Sequence, residues 1–321
     1  MNINKTVIED LVPSKQLYLY GYVDYFNSFI KLFKRNKLPQ TLMISAPKGS
    51  GKATFVYHFL NFILSGNEEK SYSLEDFKIN PDNKSYNLLI DNIHPNFYLL
   101  DSSISSENIK IDEVRKLLKF LSKSTYSNNK KFVLVDNSEY LNLNSSNALL
   151  KVLEEAPLNT FFFIIHNSSS QILNTIESRS IKFNFSFSPE EKKVILKNII
   201  NYYKLNVNLD VLSDVFYLDS VGNLLKYLVL LEETDFDLSK DKLKCIYYLI
   251  DKYRTLNDSN LLNLASFFVE QYYNDLSLMN GKNVSSYFLK RNKILNIIND
   301  TKRFNLDKKN LSVALNLLTQ K

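Results

Sequence analysis

Over its first 187 residues the chain alternates short apolar runs with amphipathic stretches; beyond that, amphipathic stretches continue alone. Thr41 to Ala46, Phe97 to Leu100, Phe132 to Asp136, Phe161 to Ile165 and Ile181 to Phe185 have the length and bounding residues of buried strands. Between them lie helical spacings. After a Leu19-Tyr20-Gly21 turn, Val23, Phe26, Phe29, Ile30 and Phe33 share one face, and Leu38-Pro39 ends that helix. Phe55, Val56, Phe59, Leu60 and Ile63 form a second helix, and Val114, Leu117, Leu118 and Leu121 a third. Asn144 to Pro157 predicts a helix capped by Asn144 and stopped by Pro157. Leu149, Leu150 and Leu153 would face in; Lys151, Glu154 and Glu155 would face out, as a plain solvated surface also requires. Asn174 to Glu177 is a short helix before the last strand. Residues 65–95, polar and holding Gly66, Pro81 and Pro95, read as a long surface excursion.

Strands alternating with helices predict an α/β domain built on a parallel sheet of five strands, ending near residue 187. Ser188-Pro189-Glu190-Glu191 then opens a helix, with Ser at the cap, Pro at the first position and Glu at the third. A small helical unit over 188–234 follows, with Glu232 to Asp235 as linker. Residues 235–321 hold four more predicted helices, at about 239–255, 260–277, 285–299 and 306–319.

Composition adds exclusions. At 321 residues the chain exceeds one ordinary core. Its net charge of +6 permits contact with a nucleic-acid backbone without demanding it. Cys245 is the single cysteine, so neither an internal disulfide nor a Cys-based zinc site is expected. His58, His94 and His166 have no ligand spacing among them, so no metal site is expected. No apolar run reaches the roughly 18 residues of a membrane span, and Met1 to Lys5 has no signal-peptide core. A cytoplasmic location is the expectation.

Candidate chemistry centres on Ile44 to Thr54. The phosphate-loop template G-x-x-x-x-G-K-[S/T] fits Gly51-Lys52 with two departures. Ala46 replaces the first glycine, and Ala53 replaces the hydroxyl that binds Mg²⁺. Strand, tight loop and helix start make an anion site from the unpaired amides of the first turn. Thr54 lies about 100° further round the helix and should face elsewhere. The plain alternative is a chance lysine in a Gly-rich turn. Asp136, ending its strand, has the place of a carboxylate that binds the Mg²⁺ shell; Asp is also a common turn residue. The residue after it, normally Glu in ring ATPases, is Asn137, an amide that orients water but cannot act as a base. His166-Asn167 ends the fourth strand, at the place for a polar γ-phosphate sensor, although His166 reads equally as a satisfied core histidine.

This order resembles the AAA+ ATPases of clamp loaders, and within them the delta-prime family of the bacterial DNA polymerase III clamp loader. The resemblance covers about residues 15–230 and rests on Leu38-Pro39, Gly49 to Thr54, Ile111-Asp112 with Arg115, Asn147 to Lys151 with Leu153-Glu154-Glu155 and Pro157, and Ser178-Arg179-Ser180. It implies an AAA+ domain over 1–187, a helical lid over 188–234 and a helical collar over 235–321 that builds a ring. It also implies a degenerate ATP site of Lys48, Gly49, Ser50, Gly51, Lys52, Ala53, Thr54, Asp136 and Asn167, holding ATP or ADP without hydrolysis. Ala46, Ala53, Asn137 and Gly222 each lack a group a motor subunit uses; Gly222 stands where the lid would offer a sensor arginine. The four-cysteine zinc module of many relatives has no counterpart in residues 65–95, so no zinc is expected. Arg179, between two serines at a module edge and expected free to project, would reach into a neighbour's ATP site as an arginine finger. The implied partners are the gamma/tau motor subunits and the delta subunit, with the sliding clamp and primed DNA reached through the complex. The alternatives are an active gamma/tau-like motor and another nucleic-acid-remodelling AAA+ protein.

Overall fold

The computed structural model describes residues 11–102, 108–123, 130–205, 209, 219–232, 234, 236–237, 240–256, 258–279, 283–304 and 311. They divide into two units, one of residues up to 203 with 220–222, the other of 204–219 and 223 onward. Among the described residues no helix is long and apolar enough to cross a membrane.

The first unit is built on five parallel strands: β1 (Thr41–Ala46), β2 (Phe97–Leu100), β3 (Lys131–Val135), β4 (Thr160–Asn167) and β5 (Ile181–Asn184), in the order β2-β3-β4-β1-β5. This is the five-stranded parallel α/β sheet expected. The central strands read as unbroken apolar runs because both sheet faces are covered. On one face Leu42, Ile44, Phe132, Leu134 and Phe163 meet α1 (Val23–Lys34) and α2 (Lys52–Leu64). On the other, Met43, Val133, Val135, Phe162 and Ile164 meet α4 (Ile111–Leu121) and α5 (Leu143–Glu155). The first core is packed ring on ring: Phe26, Phe29, Phe55 and Phe59 meet edge to face at centroid distances of 5.2–6.1 Å. Such pairs add about 0.5–1.5 kcal/mol each beyond burial.

Two expectations shift here. α5 is capped by Asn142, which accepts from the Ser145 amide at 2.9 Å, and not by Asn144. Its inward residues are Leu149, Val152 and Leu153, so Val152 replaces Leu150 in the buried stripe. The cap lies two residues earlier, and Leu149, Val152 and Leu153 keep the i, i+3, i+4 spacing of one helix face.

The excursion after α2 is not a loose surface segment. It contains α3 (Lys84–Ile90) and buries Tyr72, Ile79, Tyr86 and Leu89 against the first core. Polar groups fasten it. The Asn61 and Asn83 amides exchange hydrogen bonds at 3.2 and 3.1 Å, and the Glu68 carboxylate accepts from the Lys84 and Ser85 amides at the start of α3. His58 is held between the Tyr72 hydroxyl and the Gln16 carbonyl. Side-chain hydrogen bonds leave no hydrophobic periodicity, so the packing was not legible from the pattern.

α6 (Asn174–Glu177) precedes β5, and α7 (Pro189–Tyr203) closes the first unit. α7 opens with the predicted reciprocal cap: the Ser188 amide donates to Glu191 at 2.7 Å and the Glu191 amide to the Ser188 hydroxyl at 3.2 Å. The second unit carries most of α8 (Val221–Glu232), then α9 (Lys242–Leu256), α10 (Asn260–Met279) and α11 (Val284–Phe304). Of the helix expected at about 306–319, Leu311 alone is among the described residues; the rest lies outside them.

Candidate functional site, a degenerate phosphate loop

β1 delivers the chain into the loop at Ala46, and α2 leaves it at Lys52. Gly49 and Gly51 have φ of 82° and 85°, the left-handed region where a side chain is strained. These two glycines let the loop turn back onto the helix start. The Tyr22 hydroxyl braces it by donating to the Ser50 carbonyl at 2.9 Å.

The loop suits an anion better than a metal. Ser50 is buried and its Oγ has no hydrogen-bond partner, an expensive state unless a ligand oxygen meets it. It sits at the N-terminus of the 13-residue α2, where the unpaired amides and the helix dipole favour negative charge. Lys48 lies exposed beside it. Ala53 offers no oxygen where the motif places the hydroxyl that binds Mg²⁺.

Lys52 is turned inward. Its Nζ donates to the Ala46 carbonyl at 2.8 Å and to the Pro47 carbonyl at 2.9 Å. Burial lowers its pKa to about 8, with Asp136 acting in the opposite direction. Burial, then the charge of Asp101, raises Asp136 to about 6, against the pull of the Asn137 amide and Lys52. The structure thus brings Lys52 and Asp136 into one electrostatic neighbourhood, as the motifs required.

Asn137 is fixed rather than free to position water. Its backbone is left-handed, its amide N–H donates to Asp136 at 2.8 Å, and its Nδ2 donates to the Asp101 carboxylate at 2.9 Å. Asp101, just beyond β2, was missed from sequence; its signal was an apolar run ending in Asp, the same feature that marked Asp136. His166 faces Ser45 across the β1–β4 pairing. Its Nε2 donates to the Ser170 carbonyl at 3.1 Å, which leaves Nδ1 to accept from the Ser45 hydroxyl at 3.3 Å. It is a satisfied core histidine. Asn167 lies opposite Ala46, but its side chain serves its own turn, donating to Ser170 Oγ and accepting from the Ser169 amide.

Gly222 meets the loop directly: its N–H donates to the Gly49 carbonyl at 2.8 Å. A Cβ there would stand 2.7 Å from that oxygen, so the approach requires glycine. Where a sensor arginine was looked for, the backbone itself touches the loop.

Arg179, after α6, does not project freely. Its Nε donates to Glu154 on α5 at 2.7 Å, a second nitrogen lies 2.5 Å from the same oxygen, and Nη1 donates to the Thr175 carbonyl at 3.1 Å. Both side chains of the pair remain about half exposed. Glu177, two residues before Arg179, is instead paired with Lys182 at 2.7 Å.

A sequence profile of the family described as DNA polymerase III, delta subunit, matches residues 23–189, just over half of the chain. A DNA polymerase III subunit delta' of Pseudomonas aeruginosa is 29% identical over 140 residues, 44% of this chain and 41% of that protein. The subunit delta' of Haemophilus influenzae is 38% identical over 98 residues, 30% of each chain. A Buchnera aphidicola subunit delta' aligns more broadly, at 21% identity over 285 residues, 78% of this chain and 84% of that one. The chain spans less than half the length of the first two relatives.

Proposed function

The chain belongs to the family of delta-prime subunits of the DNA polymerase III clamp loader, and on that premise we propose that it is a non-hydrolysing member of the loader ring, a stator that lends Arg179 to a neighbour's ATP site. Its partners in this reading are the gamma/tau motor subunits and the delta subunit, and its work is loading the sliding clamp onto primed DNA during replication.

The observation that carries the reading is Asn137. The position that needs a carboxylate to polarise water holds an amide already committed to Asp101. The missing hydroxyl at Ala53 points the same way. Phosphate binding is left intact in this reading: the α2 amides and Ser50 Oγ would hold it, with Lys52 nearby as a point charge. A nucleotide at this site is therefore kept rather than turned over.

Arg179 supports the second half. Its guanidinium rests on Glu154 at a half-exposed surface, a pair worth about 0–1 kcal/mol and easily exchanged for a stronger anion. A phosphate of an adjacent subunit is such an anion, and a guanidinium matches it bidentately. Finger arginines in phosphoryl transfer contribute about 10³–10⁵ in rate at the site they serve.

The test mixes Arg179→Ala with wild-type partner subunits and follows DNA- and clamp-stimulated ATPase together with clamp loading. Loading should collapse and one ATP site should fall silent, with the variant's own melting unchanged. Arg179→Lys should rescue poorly, lacking the planar fork. Unchanged ATPase and loading in a ring that still assembles would reduce Arg179 to a surface ion pair. In parallel, the isolated chain should hydrolyse ATP negligibly; rapid turnover abolished by Lys52→Ala would overturn the non-hydrolysing assignment.

A further inference from the structure

Away from the phosphate loop, the first unit carries a cleft of about 280 Å³ walled mainly by tyrosines. It lies between the lead-in segment at Lys15 to Tyr20, α3, and the end of α7. Tyr18 meets Tyr202 at 5.1 Å and 65°, and Tyr202 meets Tyr203 at 5.0 Å and 85°. Tyr202 is 47% exposed, so part of its ring is open to solvent. Tyr86 forms the floor, buried and donating its hydroxyl to the Lys15 carbonyl at 3.2 Å.

Cations stand at the rim. The Lys78 ammonium lies 4.8 Å from the centre of the Tyr18 ring, and the exposed Lys15 lines the cleft. Asp76 is near Lys78, so the rim is basic without being uniformly so. The volume lies just under the range of about 300–1,000 Å³ typical of small-ligand pockets. One flat heterocycle fits; anything attached to it stays outside, against the lysines.

We propose that this tyrosine cleft takes an unstacked nucleobase, with the adjoining phosphate on Lys15 and Lys78. An exposed tyrosine ring with lysines nearby is what binding single-stranded nucleic acid requires, because every base has a face to stack and every linkage a charge to neutralise. The source is a single-stranded segment or a free nucleotide. The inference stands apart from hydrolysis, ring membership and Arg179.

The experiment uses the full chain and a fluorescein-labelled oligothymidylate followed by anisotropy, with 5-iodouracil photocrosslinking to locate contacts. Crosslinks should fall on Tyr18 or Tyr202. Tyr202→Ala should weaken binding about tenfold, the usual loss of one stacked base. Tyr202→Phe should bind within about twofold of wild type, since the ring is kept. Lys15→Gln with Lys78→Gln should make the logarithmic salt slope shallower by about 0.7–1.4, one or two phosphates' worth on a single strand. Displacement by thymidine monophosphate, itself sensitive to Tyr202→Ala, assigns the site to a free nucleotide; resistance to it assigns a strand. Absence of oligonucleotide and nucleotide binding by the wild type, crosslinks confined elsewhere, or unchanged affinity in a folded Tyr202→Ala would overturn the proposal, as would binding of a proline-rich peptide in place of both ligands.

Discussion

His58 shows how one buried side chain fixes a pH dependence. Nε2 faces a carbonyl, so it carries the proton, and Nδ1 accepts from the Tyr72 hydroxyl. The imidazole is neutral and fully used, and burial lowers its pKa from 6.5 to about 3. The folded value lies below the unfolded one, so the unfolded chain takes the proton first. Its contribution to stability is complete above pH 6.5 and is lost as pH falls toward 3. Between pH 6.5 and 5 the loss comes to about 2 kcal/mol at 1.36 kcal/mol per pH unit. Denaturant titrations at pH 7 and pH 5 should therefore show a larger drop for wild type than for His58→Gln, by about 1–2 kcal/mol. Equal drops would mean that His58 does not carry the acid sensitivity. Lys52 and Asp136 are also shifted mainly by burial, but each pulls the other back toward its ordinary value, an opposition between charges that His58 lacks.

At the scale of elements, α3 and its neighbours depend on one amide pair. Asn83 caps α3 through the Tyr86 amide at 2.5 Å and also exchanges bonds with the buried Asn61. Asn83→Ala removes a cap and leaves the Asn61 amide unpaired, a combined cost of about 2–3 kcal/mol. The double variant with Asn61→Ala should cost less than the sum of the two single changes, because the second change removes a group already stranded. Additive costs in a denaturation cycle would show that the two amides act independently. The same region marks where the sequence was readable. β1 and β3 stood out because both faces are buried and nothing interrupts their apolar runs. α7 stood out because Ser188 and Glu191 encode its start locally. The 65–95 segment was opaque because its fastening is long-range and polar: Asn61 to Asn83, Glu68 to Ser85, His58 to Tyr72. Within the site, the lysine, the two glycines and Asp136 were readable from spacing. The Asp101 partner of Asn137, the Glu154 partner of Arg179 and the Gly222 contact were not, since each joins residues 36, 25 and 173 positions apart.

At the scale of the whole molecule, the second unit is expected to hold the ring together. Ile294 and Ile298 are buried within it, so those two are spent on its own packing. Leu278 and Met279 at the end of α10, and Phe288 and Leu289 early in α11, remain exposed; Leu289 is 62% accessible. Four large apolar side chains exposed at the end of α10 and early in α11 are more than solubility favours, and exposed apolar surface of this kind marks association surfaces. Burial of each is worth about 1.5–3 kcal/mol on assembly. Deleting residues 238–321 should abolish assembly with the clamp-loader partners while the sheet unit stays folded. That deletion also uncovers α8, where Tyr227 loses its bond to the Asn260 carbonyl, so aggregation of the fragment would confound it. The cleaner test is Phe288→Ser with Leu289→Ser in the full chain. Both residues are already exposed, so the melting temperature should hold within about 2–4 °C, the shift that 1 kcal/mol produces in a chain of this size or smaller. Sedimentation of the reconstituted ring should fall to the subassemblies that lack this chain. If the doubly substituted chain, still folded, enters the ring with unchanged affinity, the assembly surface lies elsewhere on the molecule.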